Sequence, residues 1–444
     1  MRFDFFRRGG RSKKDEHPPN DAHDGLPVAE EPSVALGDAP GHVTRALILD
    51  HQKSLKGYRM GWRAAGPSAG ELAEFRAFVA CITSHLCTPE PRWMLGRAVL
   101  FIDITSASMR SSELQSLPAQ HVVLCIALDD LMREDAKETL LQLRQQGFRF
   151  MLRGAQALPE DPELRALVSH FDVGAGDKEL ETRIRREAGP VQPPLQMIAT
   201  QVASWKDFDA CAARRVDVVI EGSMALPAVA TRPGQATLQP DTLLIVRMMQ
   251  MIKRNEDVRE IEAALEHNAA LKEKLLRHIN SPSMAVAVEI HSLHQAVTLL
   301  GYSPLYRWLS LLLASSAKSI PPFMLKRVLT RGRFVELLGT GRVPADESDN
   351  LFVIGMVSLF DQLLGISMEE ILGMIQLTES AQQAVLQRAG PHGPYLSLAE
   401  SCEADAGAAA SLSESLGLVP AQVNSAHLSA LLWAQDVSSA DAAY

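Results

Sequence analysis

Apolar positions between Val43 and Pro233 occur in short runs that are separated by longer amphipathic stretches. Short runs rich in β-branched residues predict buried strands, and apolar residues at helical spacing between them predict helices. Strands that alternate with helices are typical of a parallel sheet with right-handed crossovers. Gly147 follows one such helix, where glycine commonly ends helices. The predicted strands are VTRALIL (43–49), LKGYRMGWR (55–63), VLFIDIT (99–105), HVVLCIAL (121–128), FRFMLRG (148–154) and VDVVIEG (216–222), and the predicted helices are LAEFRAFVACITSHL (72–86), REDAKETLLQLRQQG (133–147) and WKDFDACAARR (205–215).

After Pro240 the pattern is helical almost throughout. Ser367 and Glu370 have the spacing of a capping box, which marks the start of a helix. The last apolar stretch, NSAHLSALLWAQDV, predicts a final packed helix. The other predicted helices span 242–254, 258–280, 293–301, 305–317, 323–339 and 351–365. We therefore predict a disordered tail and linker (1–41), an α/β domain (42–234), an all-α domain (240–435) and a C-terminal tail (436–444).

Composition narrows the class of protein. A chain of 444 residues with 46% hydrophobic and 22% charged residues is globular and exceeds one ordinary core. A net charge of −9 gives no general attraction to nucleic acid. The longest apolar stretches are too short to span a bilayer, and the basic start MRFDFFRRGGRSKK lacks a signal-peptide core, so we interpret it as a solvated tail. The five cysteines are odd in number and contain no CxxC pair, which predicts a reducing compartment, the cytoplasm, and no zinc site: Cys81, Cys87, Cys125, Cys211 and Cys402.

One stretch of the helical half has a specific resemblance. Residues 272–283 (KEKLLRHINSPS) and 290–313 (IHSLHQAVTLLGYSPLYRWLSLLL) resemble the HDOD signalling domain. The resemblance covers roughly 240–435 and implies an all-helical fold that is shared with HD phosphohydrolases but lacks their metal-binding His-Asp dyad. The matched positions are Leu275, Leu276, Arg277, Ile279, Asn280, Ser281, Ser292, Ala296, Leu300, Gly301 and Trp308.

The matched residues also have structural explanations. Leu275, Leu276 and Ile279 share one helical face, which predicts a core position. Asn280 and the proline two residues later predict the end of that helix, and Gly301 predicts the end of the next. We interpret the arginine before Trp308 as a solvated charge rather than a partner contact.

A metal hydrolase is the enzymatic alternative for this half. Its candidate ligands are His267, His278, His291 and His294, and a two-metal site also needs carboxylates. The only adjacent His-Asp pair, at 23–24, lies in the predicted tail. Surface or capping histidines are therefore favoured over a metal site, and no cofactor is expected.

The first half resembles an EAL domain, the TIM-barrel phosphodiesterase fold that linearises cyclic di-GMP and often accompanies HDOD. In the strand Gly57-Tyr58-Arg59-Met60-Gly61-Trp62-Arg63, the tyrosine and the last arginine match the family. The resemblance implies that the metal and catalytic positions are replaced or altered by Arg59, Asp103, Cys125, Arg153, Gly154, Ala175, Thr200, Ala203 and Glu221. Roughly 190 residues are also few for a barrel of about 250, which predicts missing elements.

These replacements oppose metal-assisted hydrolysis. A guanidinium at 59, about 4 Å from a divalent ion, would be repelled by roughly 8 kcal/mol at an effective dielectric of about 20. Asp103 and Glu221 together would hold at most one weakly bound ion. Arginine forks at 59, 63 and 153 match phosphate geometry. Against that, we interpret Arg59 and Arg153 as exposed residues at strand ends and retain Arg63 as the candidate phosphate contact.

We therefore predict a non-catalytic signalling protein, a pseudoenzyme that acts through contacts of its HDOD domain with other signalling proteins. The alternatives are a cyclic di-GMP effector that binds without hydrolysis, an active cyclic di-GMP phosphodiesterase and an HD-type phosphohydrolase. The sequence gives no indication of oligomeric state.

Overall fold

The first half of the chain forms a closed β-barrel. The structure is a computed structural model that describes residues 40–87, 93–189, 193–220, 240–266, 268–280, 289–316, 321–404 and 407–442. Eight strands follow one another around the barrel in chain order. They are β1 (Gly41–Leu49), β2 (Leu55–Ala64), β3 (Val99–Ile104), β4 (Val122–Ala127), β5 (Arg149–Arg153), β6 (Val168–Asp172), β7 (Gln196–Ala199) and β8 (Asp217–Ile220).

The predicted parallel arrangement holds from β2 to β8, whereas β1 is antiparallel to both of its neighbours, β2 and β8. A tight turn explains the β1–β2 hairpin, because the Asp50 carboxylate accepts hydrogen bonds from the backbone N–H groups of Gln52 and Ser54. The prediction of missing elements is wrong for the strands, since the barrel closes within residues 41–220. The connections between its parallel strands are short, so the barrel closes with fewer residues than a typical one.

Of the three helices predicted for the barrel, those over 72–86 and 205–215 are confirmed, with ends that differ by up to three residues. The third prediction, over 133–147, begins too early: after β4 the chain first makes one short helix, and the main helix starts only at Lys137. Gly147 has a φ of 104°, as the turn after this helix requires. The helices are α1 (Glu71–Leu86), α2 (Leu128–Leu131), α3 (Lys137–Gln145), α4 (Pro162–Leu167), α5 (Lys178–Ala188) and α6 (Trp205–Ala212).

The second half is helical, as predicted. Two predicted helices are each split: 258–280 is interrupted at Asn268, whose side chain caps the following helix, and 351–365 is interrupted near Leu359. The Ser367–Glu370 capping box is present. The helices are α7 (Pro240–Lys253), α8 (Val258–Glu266), α9 (Ala269–Ile279), α10 (Leu293–Leu300), α11 (Tyr302–Ser316), α12 (Pro322–Gly339), α13 (Ala345–Val357), α14 (Phe360–Leu364), α15 (Met368–Ile375), α16 (Glu379–Gln387), α17 (Gly393–Ala404), α18 (Ala409–Ser415) and α19 (Pro420–Ala442). The last helix thus continues past the predicted boundary at 435.

The HDOD-like positions are mainly structural. Leu275 and Ile279 are buried on α9, as predicted, and Ala296 and Trp308 are buried on α10 and α11. The Asn280 side chain forms hydrogen bonds with both backbone groups of Ile290 and so links the end of α9 to the residues just before α10. Leu276 is half-buried, and Arg277 is exposed beside Glu273. Ser292 caps α10, and Gly301 ends it. Ser281 and the side chain of Leu300 lie outside the described part of the structure.

The interpretation of Arg307 as a solvated charge is wrong. Its guanidinium donates to both carboxylate oxygens of Glu336 at 2.5 and 3.0 Å. It also lies 4.0 Å from the ring centroid of Phe352. Apolar packing around α11, α12 and α13 therefore encloses this arginine, and the ion pair with Glu336 compensates its charge.

The last helices pack against β1 of the barrel. The side-chain amide of Asn424 on α19 accepts a hydrogen bond from Val43 N–H and donates one to the Gly41 carbonyl, both at 2.8 Å. Within the described residues, β8 pairs only with the end of β1, at Leu47, Ile48 and Leu49. Asn424 therefore forms its hydrogen bonds with the part of β1 that β8 does not reach. Strand β1 therefore belongs to the barrel and also contacts the helical half of the chain.

A buried charge cluster, formed by Arg45, Arg327, Arg331 and Glu403, lies at the same junction. The Glu403 carboxylate is 2.6 Å from Arg331, 3.4 Å from Arg327 and 3.8 Å from Arg45. Burial alone would raise the pKa of Glu403, but the charges of Arg331, Arg327 and Arg45 hold that pKa well below its usual range. The carboxylate therefore stays charged and joins β1 to α12 and α17.

Candidate functional site

The barrel interior is closed by apolar side chains, and polar groups gather at one end. Ile48, Phe101, Cys125, Met151 and Val219 belong to the cluster that fills the centre. Side chains alternate along a strand, so residues two positions further along β3 and β5 also point inward. At the carboxyl ends of the parallel strands these inward positions are polar, which is where TIM-type barrels place their binding sites.

A charged triad, Arg59–Asp103–Arg153, occupies this mouth. Arg59 is in register with Phe101 on the neighbouring strand, which places it on the inner face of β2. One carboxylate oxygen of Asp103 accepts from Arg59 Nη2 at 3.0 Å and from Arg153 Nη1 at 2.8 Å. The side chains of Arg59 and Arg153 are 20% and 31% exposed. The interpretation of these arginines as simply exposed is therefore wrong: they converge on one acid inside the mouth.

A second polar group lies across the mouth at the ends of β6 and β7. Asp172 accepts hydrogen bonds from the Thr200 hydroxyl and from Gly174 N–H, both at 2.8 Å. Thr200 is itself buried, and its backbone N–H donates to the Gly174 carbonyl. Asp172 thus fixes the loop after β6, and the sequence comparison with EAL domains did not single it out.

The remaining predicted positions do not form a cluster of ligands. Cys125 is buried, and its pKa is raised well above the usual value by burial and then by the nearby charge of Asp103. A buried neutral thiol is a weak ligand and nucleophile. Gly154, Ala175 and Ala203 are exposed and have no metal-binding side chain, Arg63 is exposed at the end of β2, and Glu221 lies outside the described residues.

Divalent ions do not fit the described mouth. Magnesium and manganese need several carboxylate oxygens, whereas the acid best placed here, Asp103, already shares one oxygen with two guanidinium groups. Any ion bound to Asp103 would also face the positive charges of Arg59 and Arg153. Across the described ranges, no three His, Cys, Asp or Glu residues are grouped so as to hold a metal, and His291 and His294 are both exposed.

His170 lies on the inner face of β6, below the mouth. Its ring meets Phe101 edge-on at 5.4 Å, and its Nδ1 lies 2.9 Å from the Ser169 hydroxyl. Burial, and then the charges of Arg149 and Lys56, lower the pKa of His170 to about 3. The imidazole is therefore neutral in the folded protein, which makes it a packing group rather than a proton donor near neutral pH.

This lowered pKa predicts acid sensitivity. The unfolded chain takes up the His170 proton near pH 6.5, but the folded chain does so only near pH 3. Its contribution to stability is full above about pH 6.5 and declines by up to about 1.4 kcal/mol per pH unit below it. We expect His170→Phe, which keeps the aromatic packing, to reduce the pH slope of the unfolding free energy in urea titrations between about pH 7 and 4.5. His294→Phe, at an exposed position, should leave the slope unchanged; equal slopes for all three proteins would contradict the assignment.

Sequence comparison gave the positions at the mouth but not their contacts. Arg59, Asp103 and Arg153 were each identified as replaced or altered positions, without the prediction that they bind one another. The available signal was alternation: each lies at an inward position of its strand, and opposite charges at one end of a barrel attract. The junction with the last helices had only one signal in the sequence, Arg45 in the middle of an apolar strand, and that residue contacts Glu403 on α17.

Comparisons with known proteins find a family match in the helical half and a relative that is similar over most of the chain. The HDOD domain family matches residues 238–329. The chain is 30% identical over 408 residues to the protein named cyclic di-GMP phosphodiesterase CdgJ of Vibrio cholerae, covering 89% of this chain and 93% of that protein. It is 23% identical over 315 residues to the uncharacterized protein YuxH of Bacillus subtilis, covering 69% and 76% respectively. A standalone EAL protein of Vibrio cholerae, solved with cyclic di-GMP bound, is similar at 12% identity and a TM-score of 0.30, covering 44% of this chain and 98% of that one. Among the described helices, none is both long and apolar enough to cross a membrane.

Proposed function

This chain belongs to the EAL–HDOD family of signal transduction proteins, and on that premise we propose that its EAL-like barrel is non-catalytic and serves as a platform for the HDOD domain. The HDOD domain then acts through contacts with other signalling proteins. A relative named as a cyclic di-GMP phosphodiesterase makes hydrolysis the first alternative.

The triad at the barrel mouth is the observation that supports an inert barrel. Hydrolysis of a phosphodiester by two divalent ions needs carboxylates to hold the ions and to position the attacking water. Here two fixed cationic side chains, Arg59 and Arg153, share the Asp103 carboxylate. These positive charges are on side chains and cannot dissociate from the mouth. We therefore expect the mouth to have little affinity for additional cations.

The junction between the halves supports the platform role. Asn424 and Glu403, both in the last helices, contact β1 of the barrel. A junction of buried hydrogen bonds and ion pairs holds two parts of a chain in one relative orientation more firmly than a flexible linker does. We infer that the barrel holds the helical domain in a fixed presentation towards its partners.

Calorimetric titration with Mn²⁺ tests the proposal about the mouth. We expect the full chain to give no saturable heat of Mn²⁺ binding, with or without cyclic di-GMP. Arg59→Glu, which adds a carboxylate beside Asp103, is the matched variant and should gain measurable Mn²⁺ affinity. Stoichiometric binding of ions by the unmodified chain that is lost in Asp103→Ala would refute the proposal.

A second candidate function is binding of cyclic di-GMP without hydrolysis. It is favoured by the convergence of Arg59 and Arg153, because guanidinium groups bind phosphates without a metal. In this function the arginines would replace the ions as the positive charge at the mouth. Binding in EDTA would then be as strong as binding in Mg²⁺.

A substitution at the shared acid distinguishes the two candidates. Asp103→Ala removes the acid that competes for both arginines, so an arginine-based phosphate site should bind cyclic di-GMP roughly 5- to 20-fold more tightly in EDTA. Asp103 is 43% exposed, so the change should cost less than about 1 kcal/mol of stability. Arg153→Ala should weaken the same binding, whereas Arg277→Ala, distant on α9, should not. No binding by any of these proteins, measured by calorimetry, would leave protein contacts as the function.

A further inference from the structure

A groove lies between α7 and α8, at the start of the HDOD region. Its volume is about 920 Å³. Its apolar lining includes Leu244 and Met251 from α7 and Ala264 from α8, of which Met251 is buried and the other two are half-buried. Along α7 the lining runs from Pro240 to Arg254, about 21 Å at the rise of an α-helix. A groove of this length, lined by both apolar and polar side chains, suits a short peptide segment.

Charged residues also line the groove. Asp241, Glu256 and Glu260 supply three carboxylates, and Arg247 and Arg254 supply two guanidinium groups. Two of the acids have neighbours within the structure: Asp241 accepts from Asn268, and Glu256 lies 3.9 Å from Arg254. Glu260 is exposed in the first turn of α8. The acids outnumber the bases by three to two, so the lining has a small net negative charge that a basic occupant complements.

The first fourteen residues of the chain have the matching chemistry. The sequence MRFDFFRRGGRSKK contains six basic residues and one acidic residue, in a chain whose net charge is −9. Phe3, Phe5 and Phe6 add three aromatic side chains directly before Arg7 and Arg8. Aromatic anchors beside arginines are the residue types that contribute most at protein interfaces.

The attachment point permits this segment to reach the groove. The segment is joined to β1, which begins at Gly41, by about 25 residues whose composition predicts a linker. Such a linker has an average span of about 25–30 Å and a much longer maximum. The expected radius of gyration of a compact chain of this length is about 22 Å, so the linker is long enough to cross the body.

We propose that residues 1–14 dock in the groove between α7 and α8 as an intramolecular ligand. The phenylalanines pack on Leu244 and Met251, and the arginines lie beside Glu256 and Glu260. Tethering gives the segment an effective concentration of about a millimolar, which keeps the groove occupied against weaker external partners. A partner of the HDOD domain that uses this groove must displace the tail. Docking of the tail does not depend on whether the barrel hydrolyses cyclic di-GMP.

Fluorescence anisotropy with a labelled synthetic peptide of residues 1–14 tests the proposal. We expect the peptide to bind a variant that lacks residues 1–39 at least about tenfold more tightly than it binds the full chain, whose own tail occupies the groove. Replacing Phe5 and Phe6 of the peptide by alanine should weaken binding by about tenfold or more. Circular dichroism confirms beforehand that the shortened protein has the helical content and melting temperature of the full chain.

Matched substitutions on α7 and α8 locate the binding site. Leu244→Glu, in the groove, should abolish peptide binding, whereas Leu243→Glu, the exposed neighbour that does not line it, should leave binding unchanged. Glu260→Lys should weaken binding, and Glu266→Lys, exposed at the end of the same helix, should not. Equal peptide affinity for the full and shortened chains, or binding that survives Leu244→Glu, would overturn the proposal. Neither result would affect the proposed inert barrel, which the Mn²⁺ titration tests separately.

Discussion

Glu403→Ala is expected to lower the free energy of unfolding by about 3–5 kcal/mol. The side chains of Arg45, Arg327 and Arg331 are only 2%, 4% and 2% exposed, and this carboxylate is the acid that all three share. Without it, three buried guanidinium groups repel one another in a medium that solvates them poorly. Glu400 contacts Arg331 as well, but it also binds Arg388 and does not reach the other two arginines in the described contacts.

Denaturation in guanidinium chloride, followed by circular dichroism at neutral pH, measures this loss. Glu403→Gln keeps the shape and one acceptor oxygen but loses the charge and replaces the other oxygen by an NH₂ donor, so its loss should be smaller than that of the alanine variant yet still well above 1 kcal/mol. Glu414→Ala, exposed on α18, is the matched control and should change stability by less than about 0.5 kcal/mol. If Glu403→Ala were no more harmful than Glu414→Ala, the cluster would not stabilise the junction.

Asn424→Leu is expected to have the second-largest effect. The asparagine amide satisfies the N–H of Val43 and the carbonyl of Gly41, and Asn424 is only 1% exposed. A leucine of similar size leaves both backbone groups unpaired in a buried place, at a cost of about 1–3 kcal/mol each. The total loss is therefore about 2–6 kcal/mol.

The same denaturation experiment tests this prediction, with Ser425→Leu, exposed on α19, as the matched control. Because β1 belongs to the barrel and α19 to the helical half, barrel and helices should unfold together. Separate transitions for the two halves in the unmodified protein would argue against a shared strand.

The barrel was largely predictable because its strands are short apolar runs between amphipathic helices. The direction of β1 was not predictable from the run VTRALIL, since an apolar pattern gives burial but no orientation. Closure of the barrel within residues 41–220 was also not predicted. The prediction compared the length of this segment with that of a typical barrel and did not allow for crossover helices as short as α2 and α4.

The candidate site was predictable by position and not by geometry. Comparison with the EAL pattern identified Arg59, Asp103 and Arg153, but these residues are far apart in the chain, and only the closed barrel brings them together. Arg307 was misjudged for a related reason: the pair it makes with Glu336 lies across two helices, and helical periodicity describes one helix at a time. Long-range charge pairs of this kind need the tertiary structure.

Turnover of cyclic di-GMP by the purified full chain tests the inert barrel most directly. The nucleotide is incubated with the protein in Mn²⁺, in Mg²⁺ and in EDTA, and linear products are quantified by mass spectrometry, with the relative named cyclic di-GMP phosphodiesterase CdgJ as the positive reference. The triad Arg59–Asp103–Arg153 predicts no product above the EDTA level in either metal. Metal-dependent product formation by the unmodified chain that disappears in Asp103→Ala would contradict it and show that the mouth is a working active site.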